Sequence, residues 1–199
     1  MKYSAGMMSV PFLFLETRKT AQQQIAGKSS EQIKQMVLED NLYQMKSLYR
    51  AERYFNVIRR RLESLPTPLV EALGNGDLAQ AKQILIIAIM RTDLLFAEFL
   101  YEVYRTELIL GSPELEDMKI NLFFDEKARQ SDVIRQWKDT TVAHLKQYYV
   151  RILFEAGLLS GIKPPRRILK AYFNEGIVQT MLKEDMKSCL ESLTGGHYA

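Results

Sequence analysis

Apolar positions recur along this chain at three- and four-residue spacing almost from end to end, and sustained two-residue alternation is absent. That periodicity predicts helices, because every third or fourth side chain shares one face of an α-helix. Local punctuation marks the helix ends. Pro11 suits a first helical position and Gly27 a stop, so the first helix is expected over Pro11–Gly27. Ser29-Ser30-Glu31-Gln32 reads as a capping box opening a short helix to about Asp40, with Ile33, Met36 and Val37 on one side. A turn near Asn41 leads into a long helix expected over Gln44–Leu65, ended by Pro66 and Pro68. A small helix at Leu69–Leu73 stops at Gly74-Asn75-Gly76. Asp77 then caps a long helical stretch, Leu78–Leu110, which Thr92-Asp93 divides. Gly111-Ser112-Pro113 is the clearest internal break. Beyond it helices are expected at about Met118–Arg129, Asp132–Trp137, Thr140–Leu158, Arg166–Asn174 and Ile177–Leu193, with Thr194–Ala199 frayed.

The fold class is therefore all-α, a compact helical bundle with two helix-turn-helix-like elements. An N-terminal lobe of about 1–111 would hold the first, at 29–65, and a C-terminal lobe of about 112–199 the second, at 132–158. With 47% hydrophobic residues in 199, the chain has enough apolar surface for a full-sized core. Its one cysteine, Cys189, allows no internal disulfide and fits a reducing compartment. The longest apolar run, Ile84–Met90, spans seven residues, whereas a membrane helix needs about 20. No signal-like start precedes the first helix. These features give the expectation of a cytoplasmic monomer without a membrane span.

Charge changes the picture more than composition does. The net charge of +3 conceals two basic ends around an acidic middle. Residues 1–66 carry 11 Lys/Arg against 6 Asp/Glu, residues 67–128 carry 5 against 11, and residues 129–199 carry 11 against 7. Basic blocks of this kind offer docking places for a polyanion.

On a wheel of the helix Gln44–Leu65, the apolar stripe is Leu48, Ala51, Phe55, Ile58, Leu62 and Leu65. Lys46, Arg50, Arg53, Arg60 and Arg61 lie within about 60° of one another's mean on the other side. An ordinary solvated face mixes both signs, since opposite charges four apart stabilise a helix. This one carries only Glu52 among six basic residues between Leu42 and Leu62. The competing reading is a solvated face that is basic by chance.

The second basic element starts at Asp139-Thr140-Thr141-Val142 and ends Glu155-Ala156-Gly157-Leu158-Leu159, a pattern that resembles the recognition helix of winged-helix regulators. Val142, Leu145, Tyr149, Ile152, Leu153 and Ala156 share the packing face. Thr140, His144, Gln147, Tyr148 and Arg151 share the other, with hydroxyls suited to capping and phosphate contact. Gln147 and Arg151 have the side chains for bidentate contacts to adenine and guanine, and Thr140 and Tyr148 suit phosphate or sugar. Lys138 precedes the helix, and Lys163, Arg166, Arg167 and Lys170 follow it around Pro164-Pro165 as a loop-and-helix clamp. Leu94, Leu95, Phe96, Phe99 and Leu100 with Ile84–Met90 read as central core, leaving Glu98, Glu102 and Glu107 to solvent.

No catalytic signature is present. There is no phosphate-cradling glycine loop, no motif marks a nucleophile, and His144 and His197 form no metal-ligand spacing with Cys189. No catalytic residue, metal or cofactor is expected.

The order and spacing of several segments resemble the BrxA family, small accessory proteins of BREX bacteriophage-exclusion systems. The resemblance rests on Tyr3-Ser-Ala-Gly, Glu16-Thr-Arg, Ile33-Lys34 with Asn41, and Arg59-Arg60-Arg61-Leu62 before Leu65. Further on it rests on Trp137, Thr140-Thr141 and Glu155-Ala-Gly-Leu-Leu; residues 112–130 match least. It implies an all-α protein that binds double-stranded DNA in phage defence, without being the system's methyltransferase, ATPase or phosphatase. Other BREX components are implied as partners. Two alternatives stay open: a helical scaffold docking larger defence proteins through its acidic middle, and an RNA-binding helical bundle.

Overall fold

A computed structural model describes residues 2–198. Among them the chain is all-α, apart from short extended segments joined by isolated antiparallel bridges. It divides into two compact units. One is Phe12–Thr92. The other runs from Asp93 onward and includes the segment that ends at Pro11. The division falls at the Thr92-Asp93 helix break rather than at Gly111.

In the Phe12–Thr92 unit the helices are α1 (Phe14–Ile25), α2 (Ser30–Leu38), α3 (Leu48–Glu63), α4 (Thr67–Asn75) and α5 (Leu78–Met90). Helix α1 starts three residues later than Pro11 predicts, because Leu13 at its N-cap takes a left-handed backbone. The capping box of α2 forms as its sequence dictates: the Gln32 amide N–H donates to Ser29 Oγ (3.3 Å) and the Ser29 N–H to Gln32 Oε1 (2.8 Å). Helix α3 begins at Leu48 rather than Gln44. Asn41 and Gln44 both have positive φ, which turns the chain, and Asn41 Oδ1 accepts the Met45 N–H at 2.8 Å. The α1–α4 contact is close because residue 74 is glycine. A Cβ there would stand 2.6 Å from Ile25 Cδ1, and the Gly74 carbonyl accepts from Gln22 Nε2 at 2.9 Å. Helix α5 is buried from Gln83 to Met90, which accounts for its uninterrupted apolar run.

The second unit opens with Asp93, whose carboxylate accepts the Phe96 N–H (3.0 Å) and caps α6 (Leu94–Phe99). A π-helical turn, Leu100–Tyr104, continues into α7 (Arg105–Leu110). Then come α8 (Asp117–Gln130), α9 (Asp132–Arg135), α10 (Asp139–Glu155), α11 (Glu175–Lys183) and α12 (Lys187–Thr194). Phe96, Phe99, Phe123, Phe124 and Tyr149 form one aromatic core, with ring centroids 4.9–5.6 Å apart. Such edge and tilted pairs add to the area they bury.

Two expected helices are corrected. Ile177–Leu193 is broken between α11 and α12, where Asp185 has φ of 53°. Arg166–Asn174 is extended, because its backbone groups find partners on both sides. Leu115 N–H donates to Arg166 O (3.0 Å) and Ile168 N–H to Pro113 O (3.1 Å). Ser160 N–H donates to Arg167 O (3.0 Å) and Leu169 N–H to Leu158 O (2.9 Å). Three short antiparallel segments thus flank α8 and α10, and the hydroxyl of Tyr104 donates to Leu158 O and Leu169 O (3.1 and 2.7 Å) to hold two of them. Thr194, expected to fray, is buried.

Candidate nucleic-acid interface

Each basic face is built within one unit. In the Phe12–Thr92 unit, Ser47 caps α3 by accepting the Arg50 N–H at 3.3 Å. Ala51, Phe55, Ile58 and Leu62 point into the core as their spacing predicts, whereas Leu48 is exposed at the helix end. Lys46 is exposed in the turn before the helix, not on it. Arg50 and Arg60 are exposed, and Arg53 is half-buried with its guanidinium 5.5 Å from the Tyr54 ring. Of the two acids of α3, Glu52 pairs with Lys34 of α2 at 2.7 Å and Glu63 with Arg59 one turn back at 3.2 Å. Among the described residues no carboxylate lies within 4.0 Å of Lys46, Arg50 or Arg60. Arg61 is a correction. It is 3% exposed and donates to the Phe12 carbonyl at 3.1 Å, so it serves the core and not the surface.

In the other unit, Lys138 is the N-cap of α10, which no side chain caps. Leu145, Tyr149, Ile152, Leu153 and Ala156 are buried and Val142 half-buried. On the opposite face Thr140, His144, Gln147 and Arg151 are exposed, and Tyr148 is half-buried. Arg151 pairs with Glu155 one turn on (3.4 Å), both ends in solvent. Lys146 donates to Asn121 Oδ1 at 2.8 Å and ties α10 to α8. The loop between the paired segments at 158–160 and 166–169 is exposed from Ile162 to Pro165. Ile162 and Gln147 line the same open recess of about 340 Å³, so loop and helix form one continuous surface. Lys163, Arg167 and Lys170 are exposed. Arg166 is the second correction: at 4% exposure it donates to Leu115 O (3.1 Å) and to the Asp117 carboxylate (2.5 Å), anchoring the loop to α8.

Part of the acidic middle is consumed by internal pairing. Lys127, 4% exposed, meets Glu98 and Glu102 at 2.8 and 2.6 Å. Burial pulls the Lys127 pKa down, but hydrogen bonds and charge from these two carboxylates outweigh it and hold the pKa above its ordinary value. Tyr3 donates to both Glu98 oxygens (3.1 and 3.0 Å), and burial with that carboxylate pushes the phenol pKa up. Glu107, expected in solvent, is buried against Lys119 at 3.3 Å.

The BrxA family model matches residues 1–185 of the chain. This chain belongs to the BrxA family. "BREX protein BrxA" of Bacillus cereus (strain H3081.97) is 34% identical over 177 residues, covering 89% of this chain and 88% of that one. "BREX protein BrxA" of Escherichia coli O9:H4 (strain HS) is 24% identical over 189 residues, covering 93% and 88%. A crystal structure of an uncharacterized protein from Magnetospirillum magneticum shares the fold, with a TM-score of 0.81 over 98% of this chain and 100% of its own, at 19% identity. No group of His, Cys, Asp or Glu among the described residues of this BrxA-family chain could hold a metal ion. No helix among them is long and apolar enough to cross a membrane.

Proposed function

We propose that this protein is a non-catalytic accessory factor of a BREX phage-defence system that grips double-stranded DNA by its phosphates. Each unit would present one helix-turn-helix-like face, α2–α3 in one and α9–α10 in the other. The observation that carries the reading is the set of exposed cations left without carboxylates: Lys46, Arg50 and Arg60 beside α3, and Lys138, Lys163, Arg167 and Lys170 around α10. Such one-signed surfaces repel themselves unless a polyanion covers them. In the second unit the 160–166 loop takes the place of a wing beside α10, with Arg167 and Lys170 as backbone clamps and Gln147 and Arg151 as base readers. The scaffold alternative has fewer acids to offer, because Glu98, Glu102 and Glu107 already have lysine partners, while Glu71, Glu116, Asp125 and Glu126 stay exposed.

The wing supplies the test. Lys163→Glu with Arg167→Glu should lower duplex affinity by about 10²-fold near 0.1 M salt, since each lost phosphate contact is worth close to one counterion. The loss should be alike on unrelated sequences, read by fluorescence anisotropy. Parent-like binding by this double variant would remove the loop from the interface.

A further inference from the structure

Among the described residues Tyr49 and Tyr172 are the two most exposed large hydrophobic side chains, and Tyr49 is the one carried on a basic helix face. It is 76% exposed in the first turn of α3, although a phenol ring is a large apolar group that usually packs against something. Its position on the helix decides what it can meet. Arg53 lies four residues on and Arg60 eleven on, so all three share one face by helical spacing, and Arg50 follows Tyr49 directly. Exposed Lys46 stands just before the helix cap. The ring therefore sits within the basic face, not on the apolar stripe of Ala51, Phe55, Ile58 and Leu62. The wheel of charges alone makes this face a phosphate grip with no reader; the exposed ring adds one.

We propose that Tyr49 is a base-contacting residue that packs against thymine methyl groups in the major groove of DNA. The inference rests on the DNA-binding reading above and extends it to specificity in the first unit. Its chemistry is restrictive. Lys46 and Arg50 beside the ring, with Arg60 about three turns further along the same face, bring a phosphate-bearing duplex to it by charge complementarity. Among the groups that distinguish base pairs in the major groove, the thymine C5-methyl is the apolar one, beside hydrogen-bond donors and acceptors. An exposed helix flanked by arginines is the right width for that groove, with cations reaching phosphates on its rims and the Tyr49 ring reaching the floor. The side chain makes no core contact that the fold requires, so it can be changed without touching the packing of α3.

The experiment compares an A·T-rich duplex of about three helical turns with the same duplex carrying uracil at every thymine, which removes only the methyl groups. Binding of the parent, Tyr49→Phe and Tyr49→Ala is measured by anisotropy at fixed salt, with a salt series for each. Burial of one methyl is worth about fourfold in affinity. The parent and Tyr49→Phe should each lose at least that factor on the uracil duplex. Tyr49→Ala should bind both duplexes equally, at the level the parent shows on uracil, with an unchanged salt slope. Equal binding of the parent to both duplexes overturns the thymine contact, and salt-dependent affinity then leaves the phosphate grip standing. Full uracil sensitivity in Tyr49→Ala also overturns it, by placing the methyl contact elsewhere. An absence of binding in the parent overturns both readings together.

Discussion

Replacing Lys46, Arg50 and Arg60 together by glutamate is expected to lower affinity for every DNA duplex by about 10²–10³-fold near 0.1 M salt. Each phosphate neutralised by a cation releases close to 0.9 of a counterion, so each contact carries nearly one power of the salt concentration. Losing three contacts removes about three powers of ten at most, and weakens the dependence on salt in step. All three side chains are exposed, and none meets a carboxylate whose loss would confuse the result. Circular dichroism should therefore remain helical. The loss should be the same for unrelated sequences, because phosphate contacts carry no sequence information. A triple variant that unfolds would show these groups to be structural, and one that binds like the parent would take α3 out of the interface.

The second large effect runs the other way, in stability. Arg61→Ala should destabilise the protein by about 2–4 kcal/mol in urea unfolding, because it deletes a buried side chain and orphans the Phe12 carbonyl that its guanidinium serves. Arg166→Ala should cost about 2 kcal/mol. It strands the Leu115 carbonyl, but Asp117 is 66% exposed and its carboxylate can be hydrated when the arginine is gone. Their immediate neighbours make the controls. Arg60→Ala and Arg167→Ala lie at exposed positions and should change stability by less than about 0.5 kcal/mol. Unchanged stability in Arg61→Ala or Arg166→Ala, with weakened DNA binding, would return that residue to the phosphate-contacting set.

These two arginines also mark where sequence reading ends. Arg61 occupies the edge of the basic arc next to the apolar stripe, and Leu48 the far edge of the stripe. Positions at a boundary are assigned by what happens to pack there, and one turns inward while the other is left exposed. Three caps were legible, because Ser29, Asp77 and Asp93 act within four residues of themselves, whereas Ser47 of α3 and Asn174 of α11 were not. The aromatic core was legible as apolar spacing on α6 and α10, whereas Phe123 and Phe124 of α8 were not assigned to it.

The paired segments at 158–160 and 166–169 were not legible, since a strand's partners are distant and its signal is short. Just beyond them, in Lys170-Ala171-Tyr172-Phe173-Asn174, the structure alternates exposed and buried residues, the two-residue period of an extended chain, but the Ala-Tyr-Phe run hides it in the sequence. Acidic residues of the middle looked like solvated charges, because Lys127 and Lys119, which neutralise them, lie 12 or more residues away along the chain. Charge blocks locate surfaces poorly where long-range pairs consume them.

The most direct measurement is the affinity of the whole protein for a duplex of arbitrary sequence between about 50 and 300 mM salt. With five or more phosphates neutralised by the exposed cations of the two faces, log affinity should fall linearly with log salt with a slope of about −4 or steeper. Binding that is undetectable at the lowest salt, or indifferent to salt across the range, would contradict the phosphate-gripping account.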